Sequence, residues 1–281
     1  MSLTELSSVK SYDGQQKRFE HKSSSCNCTM TFSIYLPKEA ETNKVPLVYW
    51  LSGLTCTDEN FVTKAGAQAY ASKHGIAIVA PDTSPRGEDV ADDPEAAYDF
   101  GLAAGFYVNA TEAPFASHYH MYDYITKELP ALVNENFNVD PERVGIFGHS
   151  MGGHGALTIA LNNPGMYKSV SAFSPISSPI NCPWGQKALG GYLGSNQETW
   201  KKHDTCHMIS VATERLPLLI DQGDADPFLT EQLKPELLSK AADDHNHPIN
   251  LRMQSGYDHS YFFIATFMED HIAHHAKSIK S

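Results

Sequence analysis

The chain has 281 residues, and its 21 Lys plus Arg against 33 Asp plus Glu leave a formal net charge of −12. That balance argues against nucleic acid and against an anionic membrane surface as partners, because either would repel it. Hydrophobic residues make up 41%, with 13 Tyr, 13 Phe and 3 Trp to build a large core, and no run of about 18 apolar residues is present to span a membrane.

The N-terminal stretch MSLTELSSVKSYDG has neither an apolar centre nor a basic leader, so no signal peptide is expected. Cys26, Cys28, Cys56, Cys182 and Cys206 are odd in number and scattered, the pattern of reduced thiols in a cytoplasmic protein. Cys26 and Cys28 lack a second pair at zinc spacing, so no metal site is expected there.

Residues 29–36 (TMTFSIYL) alternate and are β-rich, which predicts an early strand. Residues 45–51 (VPLVYWL) are apolar throughout, the pattern of a strand buried on both faces. They run into the loop SGLTCTDEN at 52–60 and a predicted helix over 61–74. A buried strand at 76–80 stops at Pro81-Asp82. The long Gly-, Pro- and Asp-rich stretch 83–119 is expected to cover one side of a site, since loops of that length are usually functional. A helix is predicted over 118–136, a short buried strand at 144–147, a helix at 154–161 and a strand at 169–173. Residues 174–193 read as a Pro/Gly-rich excursion carrying Trp184 and Lys187. A strand at 216–221, a helix at 231–242, a strand at 249–253 and a closing helix at 261–276 complete the chain. Strands and helices alternate with no linker and no repeat, which predicts one α/β domain over residues 1–281 with a mostly parallel sheet flanked by helices.

Between the strand at 144–147 and the helix at 154–161 stands Gly148-His149-Ser150-Met151-Gly152-Gly153. It reads G-x-S-x-G, the nucleophile elbow of α/β-hydrolases, in the required strand–turn–helix setting. The three glycines let neighbouring backbone approach closely, and the following helix aims free N–H groups and its positive end at the serine. Ser150 is therefore the candidate nucleophile. In this fold the loop after an earlier strand supplies an oxyanion N–H, which points to Leu54, with Gly53 permitting close backbone approach.

A serine needs a base in reach, and the base needs an orienting carboxylate, in the chain order Ser, Asp or Glu, His. After the strand at 216–221, Asp224 and Asp226 both qualify by position. After the strand at 249–253, His259 is the candidate base. Of the other histidines, His149 and His154 are expected to pack around the elbow, and His271, His274 and His275 to lie on the helix surface. The pairs His118/His120 and His245/His247 have no helpful third ligand, so no metal is expected. No dinucleotide or Walker-type loop occurs, so no nucleotide cofactor is expected.

The stretches YWLSGLTCTDENF, APDTSPRGE, GFYVNAT, YHMYDYITKELP, GHSMGGHGAL, SAFSPI, NCPWGQKA, LIDQG and GYDHSYFFIATFMEDHIAHH together span nearly the whole chain. In them the sequence resembles the S-formylglutathione hydrolases. The resemblance implies an α/β-hydrolase that cleaves S-formylglutathione to glutathione and formate, the last hydrolytic step of glutathione-dependent formaldehyde removal, with side activity on carboxylesters. It implies no cofactor, a cytoplasmic location and a homodimer or homotetramer. It selects Asp226 as the acid beside Ser150 and His259, and the N–H groups of Leu54 and Met151 as oxyanion donors. It places Cys56 and Trp184 near the pocket. Because glutathione carries two carboxylates, Lys187, beside Trp184, is the candidate cation for the thiol side. The competing readings are a general short-chain carboxylesterase, a non-catalytic binding protein of the same fold and an acyltransferase.

Overall fold

The computed structural model describes residues 2–280. A nine-stranded sheet runs through it, built from β1 (Thr4–Ser11), β2 (Gly14–Lys22), β3 (Thr29–Leu36), β4 (Val45–Leu51), β5 (Ala77–Pro81), β6 (Val139–His149), β7 (Ser169–Phe173), β8 (Leu218–Gly223) and β9 (Ile249–Gln254). The spatial order is β1-β2-β3-β5-β4-β6-β7-β8-β9. The first three strands and the β3/β5 pair are antiparallel, and every pairing from β5 through β4 to β9 is parallel. The parallel strands end nearly level, with Leu51 opposite Gly148, Gly148 opposite Ala172 and Phe173 opposite Asp221. The loops that follow β4, β6, β8 and β9 therefore emerge along one rim, where open α/β sheets gather their ligands.

The helices are α1 (Asp58–Lys64), α2 (Ala67–His74), α3 (Met121–Asp123), α4 (Leu129–Asn136), α5 (Met151–Asn162), α6 (Pro183–Leu193), α7 (Thr205–Val211), α8 (Pro235–His245) and α9 (Tyr261–Ile279). Period-two alternation in β4 sends Leu47, Tyr49 and Leu51 into the core beneath α4, α5 and α6, and Val48 and Trp50 into the core beneath α1, α2 and α9. Trp50 stacks on Phe61 of α1 with centroids 4.1 Å apart and meets Phe147 edge-on at 4.8 Å. Truncating so buried an aromatic would cost about 3–5 kcal/mol.

Several boundaries differ from the sequence reading, each for a local reason. The helix expected over 61–74 is two, because Gly66 takes φ +65 between α1 and α2. The first begins three residues earlier than expected, closed by a capping box in which Thr57 N–H donates to Asn60 Oδ1 at 2.8 Å. The excursion at 174–193 ends as α6, entered by Pro183, whose missing N–H costs nothing in a first turn. Between α3 and α4 the backbone is π-helical over Tyr124–Glu128.

The expectation that His271 and His275 lie on the surface is overturned, since both are fully buried, while His274 is half-buried. They form a polar chain between α9 and the sheet. Asp221 can only accept, so His271 Nε2–H donates to it at 3.0 Å. His271 Nδ1 then accepts from Ser171 Oγ at 2.8 Å, Ser171 Oγ accepts from His275 Nε2 at 3.0 Å, and His275 Nδ1 accepts from Ser169 Oγ at 2.6 Å. Each ring is neutral in this sequence of bonds. Burial alone would raise the Asp221 carboxyl, but His271 and Arg252 outweigh it and hold the group down at about 2.

Candidate active site

His149 ends β6 and Met151 begins α5, leaving Ser150 on the turn between them at φ 57, ψ −118. Its N–H is tied to the Phe173 carbonyl of β7 at 3.0 Å. The turn closes only because two residues lack a Cβ: one on Gly148 would strike the Gly152 backbone, and one on Gly152 the Leu51 and Ser52 carbonyls. A Cβ on Gly53 would lie 3.1 Å from the Ser150 Cβ, which measures how near the loop after β4 comes to the serine. That loop is held by Thr55 N–H to Ala103 O at 3.0 Å and by Tyr107 Oη–H to Ser52 O at 2.8 Å. The N–H of Leu54 has no acceptor among the described residues. Met151 opens α5, so its N–H has no partner within the helix.

On the other side, Asp226 is buried beyond the end of β8. Its Oδ2 lies 2.5 Å from His259 Nδ1 and its Oδ1 accepts the Phe228 N–H at 2.9 Å. The alternative acid, Asp224, is exposed and accepts the Gly256 N–H at 2.6 Å instead. The His259 ring stands 4.3 Å from that of His149 and 5.0 Å from that of Phe228, centroid to centroid. Burial, and then the charge His259 can carry, push the His149 imidazole well below its ordinary pKa. It stays neutral beside the candidate base.

Ser150 and His259 line one cavity of about 390 Å³, together with Gly53, Leu54 and Cys56. Burial pushes the Cys56 thiol up, and the charge of Lys64 works against it. The far wall is Trp184 and Phe228, with Tyr98 from the long loop accepting the Trp184 indole N–H at 3.1 Å. Lys187 is placed differently from the sequence expectation. It sits on α6 with its Nζ 2.5 Å from Asp99 and 4.0 Å from Asp93, and it does not line the cavity. The cation in the wall is Lys64, accompanied by Asn60, both on α1. Sequence reasoning passed over them, although α1 directly follows the Gly53–Leu54 loop. A hollow of about 530 Å³ lined by Pro217, Ile249 and His274 lies at the opposite ends of β8 and β9, away from these groups. No group of three or more His, Cys, Asp or Glu that could hold a metal occurs among the described residues, and none of their helices is long and apolar enough to cross a membrane.

A serine on a strained turn between a parallel strand and a helix, with backbone donors on one side and a histidine–carboxylate pair on the other, is the arrangement of an α/β-hydrolase. Residues 23–274 match the family model described as "Putative esterase". The S-formylglutathione hydrolase of Rattus norvegicus is 54% identical over the whole of both chains, and that of Arabidopsis thaliana is 54% identical over 99% of this chain and 98% of its own. A solved S-formylglutathione hydrolase from Agrobacterium tumefaciens superposes with a TM-score of 0.95 at 46% identity, covering 98% of this chain and 99% of that one. The chain belongs to the S-formylglutathione hydrolase family.

Proposed function

We propose that this protein hydrolyses S-formylglutathione to glutathione and formate. The observation that carries the reading is the full-length 54% identity to enzymes of that name. In the reaction we infer, His259 takes the Ser150 hydroxyl proton as Oγ attacks the formyl carbon. Asp226, 2.5 Å from Nδ1, fixes the tautomer and stabilises the imidazolium. The Leu54 and Met151 N–H groups receive the oxyanion, a contribution worth about 10²–10³ in rate per donor in comparable sites. The C–S bond breaks, the thiolate leaves with the proton from His259, and water, deprotonated by the same base, releases formate from the formyl-serine. Ser150 Oγ makes no hydrogen bond among the described residues. Such contacts often tighten only once substrate is bound.

A formyl group has no carbon chain to bind, so discrimination against longer acyl groups is steric, and side activity should be confined to short esters. One methylene is worth roughly 10- to 200-fold in rate. The test is kcat/KM for S-formylglutathione beside p-nitrophenyl formate, acetate, butyrate and octanoate. We expect S-formylglutathione to lead and the esters to fall with chain length; a rate that climbs with chain length would favour a general carboxylesterase. We read the protein further as a single-domain cytoplasmic enzyme acting as a homodimer or homotetramer, which sedimentation of the purified chain would test.

A further inference from the structure

We propose that Lys64, with Asn60 as a second donor, receives a carboxylate of the glutathione moiety and sets the preference for the anionic thioester over neutral esters. The proposal rests on the reading of the site given above. A protein with a net charge of −12 must meet a dianionic tripeptide with local donors. Lys64 is the one Lys or Arg in the cavity wall, and no Asp or Glu lines that wall to neutralise it.

Lys64 is also uncommitted. It forms no ion pair among the described residues, and its recorded contact is with the ring of Tyr261, whose centroid lies 5.7 Å from Nζ. The other cations of the neighbourhood are engaged: Lys187 by Asp99, Arg86 by Asp82, and Lys234 by the Asn181 carbonyl at 2.8 Å. Lys64 is the last residue of α1, where the helix dipole favours a cation. It shares the cavity wall with Cys56 and Ser150.

Asn60 supplies an independent observation. Its side-chain oxygen is fixed toward Thr57, accepting from the backbone N–H at 2.8 Å and from Oγ1 at 3.3 Å. Its amide N–H groups then point away from the cap, and they have no acceptor among the described residues. Residues four apart share a helix face. Asn60 and Lys64 thus offer a neutral and a charged donor side by side, the pairing a carboxylate accepts.

The experiment compares kcat/KM for S-formylglutathione with that for p-nitrophenyl formate in the wild type, Lys64→Met, Lys64→Arg and Lys187→Met. Lys64→Met should lower the ratio of the two about tenfold, mainly through KM for the thioester. Lys64→Arg should restore most of it, and Lys187→Met should leave it unchanged. Raising salt to about 1 M should lower the wild-type ratio but not that of Lys64→Met. An unchanged ratio in Lys64→Met, an equal fall for both substrates, or a selective loss in Lys187→Met instead would overturn the assignment. A wild-type enzyme active on p-nitrophenyl formate but inert toward S-formylglutathione would refute the underlying substrate reading, a result distinct from these three.

Discussion

Asp226 Oδ2 stands 2.5 Å from His259 Nδ1, while Asp224, two residues earlier, turns outward to accept the Gly256 N–H. One loop thus presents two carboxylates, of which one reaches the imidazole. Asp226→Asn should lower kcat by roughly 10³-fold or more, as should Ser150→Ala and His259→Ala, because such groups act as a unit. Asp224→Asn should stay within a few-fold of wild type, losing about one exposed hydrogen bond. Steady-state kinetics on the four variants checks this, and a more damaging Asp224→Asn would reassign the acid.

Cys56 lines the cavity while Cys26 and Cys182 are buried in the core. A bulky thiol reagent should therefore inactivate the enzyme by filling the cavity, whereas Cys56→Ser should remain active and resist it. Burial raises the Cys56 pKa, and the thiolate is the reactive form, so inactivation should accelerate with pH beyond the range of an ordinary cysteine. Unchanged sensitivity in Cys56→Ser would transfer the effect to Cys28 or Cys206, the two other half-buried thiols.

Buried histidines make the fold sensitive to acid. Burial lowers His154 to about 4 and His203 to about 3, and depresses His149, His271 and His275 as well. In the unfolded chain each titrates near 6.5, so below that pH the unfolded state binds more protons and stability falls. Each such histidine contributes a slope of about 1.4 kcal/mol per pH unit until its folded pKa is reached. Asp221, held at about 2, keeps its contribution through this window and loses it only as pH falls toward 2. Urea unfolding from pH 8 to 5 should show stability level above about 7 and declining steeply below 6.5. A flat profile down to pH 5 would mean that these rings take up protons in the folded state over the same pH range as in the unfolded chain.

The central strands were legible where the sequence is strongly apolar, as in VPLVYWL, or alternates, as in TMTFSIYL. The proposed bounds of β3, β4 and β7 coincide with the observed ones. β1 and β2 were not legible. TELSSVKS is exposed along almost its whole length, and GQQKRFEHK buries only Gly14, Phe19 and His21, so β2 is placed by the edge of β3 and β1 by the edge of β2. The elbow could be read from six consecutive residues. The burial of His271 and His275 could not, because their partners Ser171 and Asp221 lie 50 to 104 residues away. The choice between Lys64 and Lys187 was hidden for the same reason: Asp99, which engages Lys187, is 88 positions distant in the chain.

Ser150 occupies φ 57, ψ −118, a region that L-residues avoid at a cost of order 1–3 kcal/mol. Glycine would sit there without that penalty. Ser150→Gly should therefore melt at a higher temperature than the wild type while losing activity as Ser150→Ala does, and a lower melting temperature would show the turn to be unstrained. At this position a screen for thermal robustness would drive the chain toward an inert protein. Only a screen that scores turnover would keep the hydroxyl.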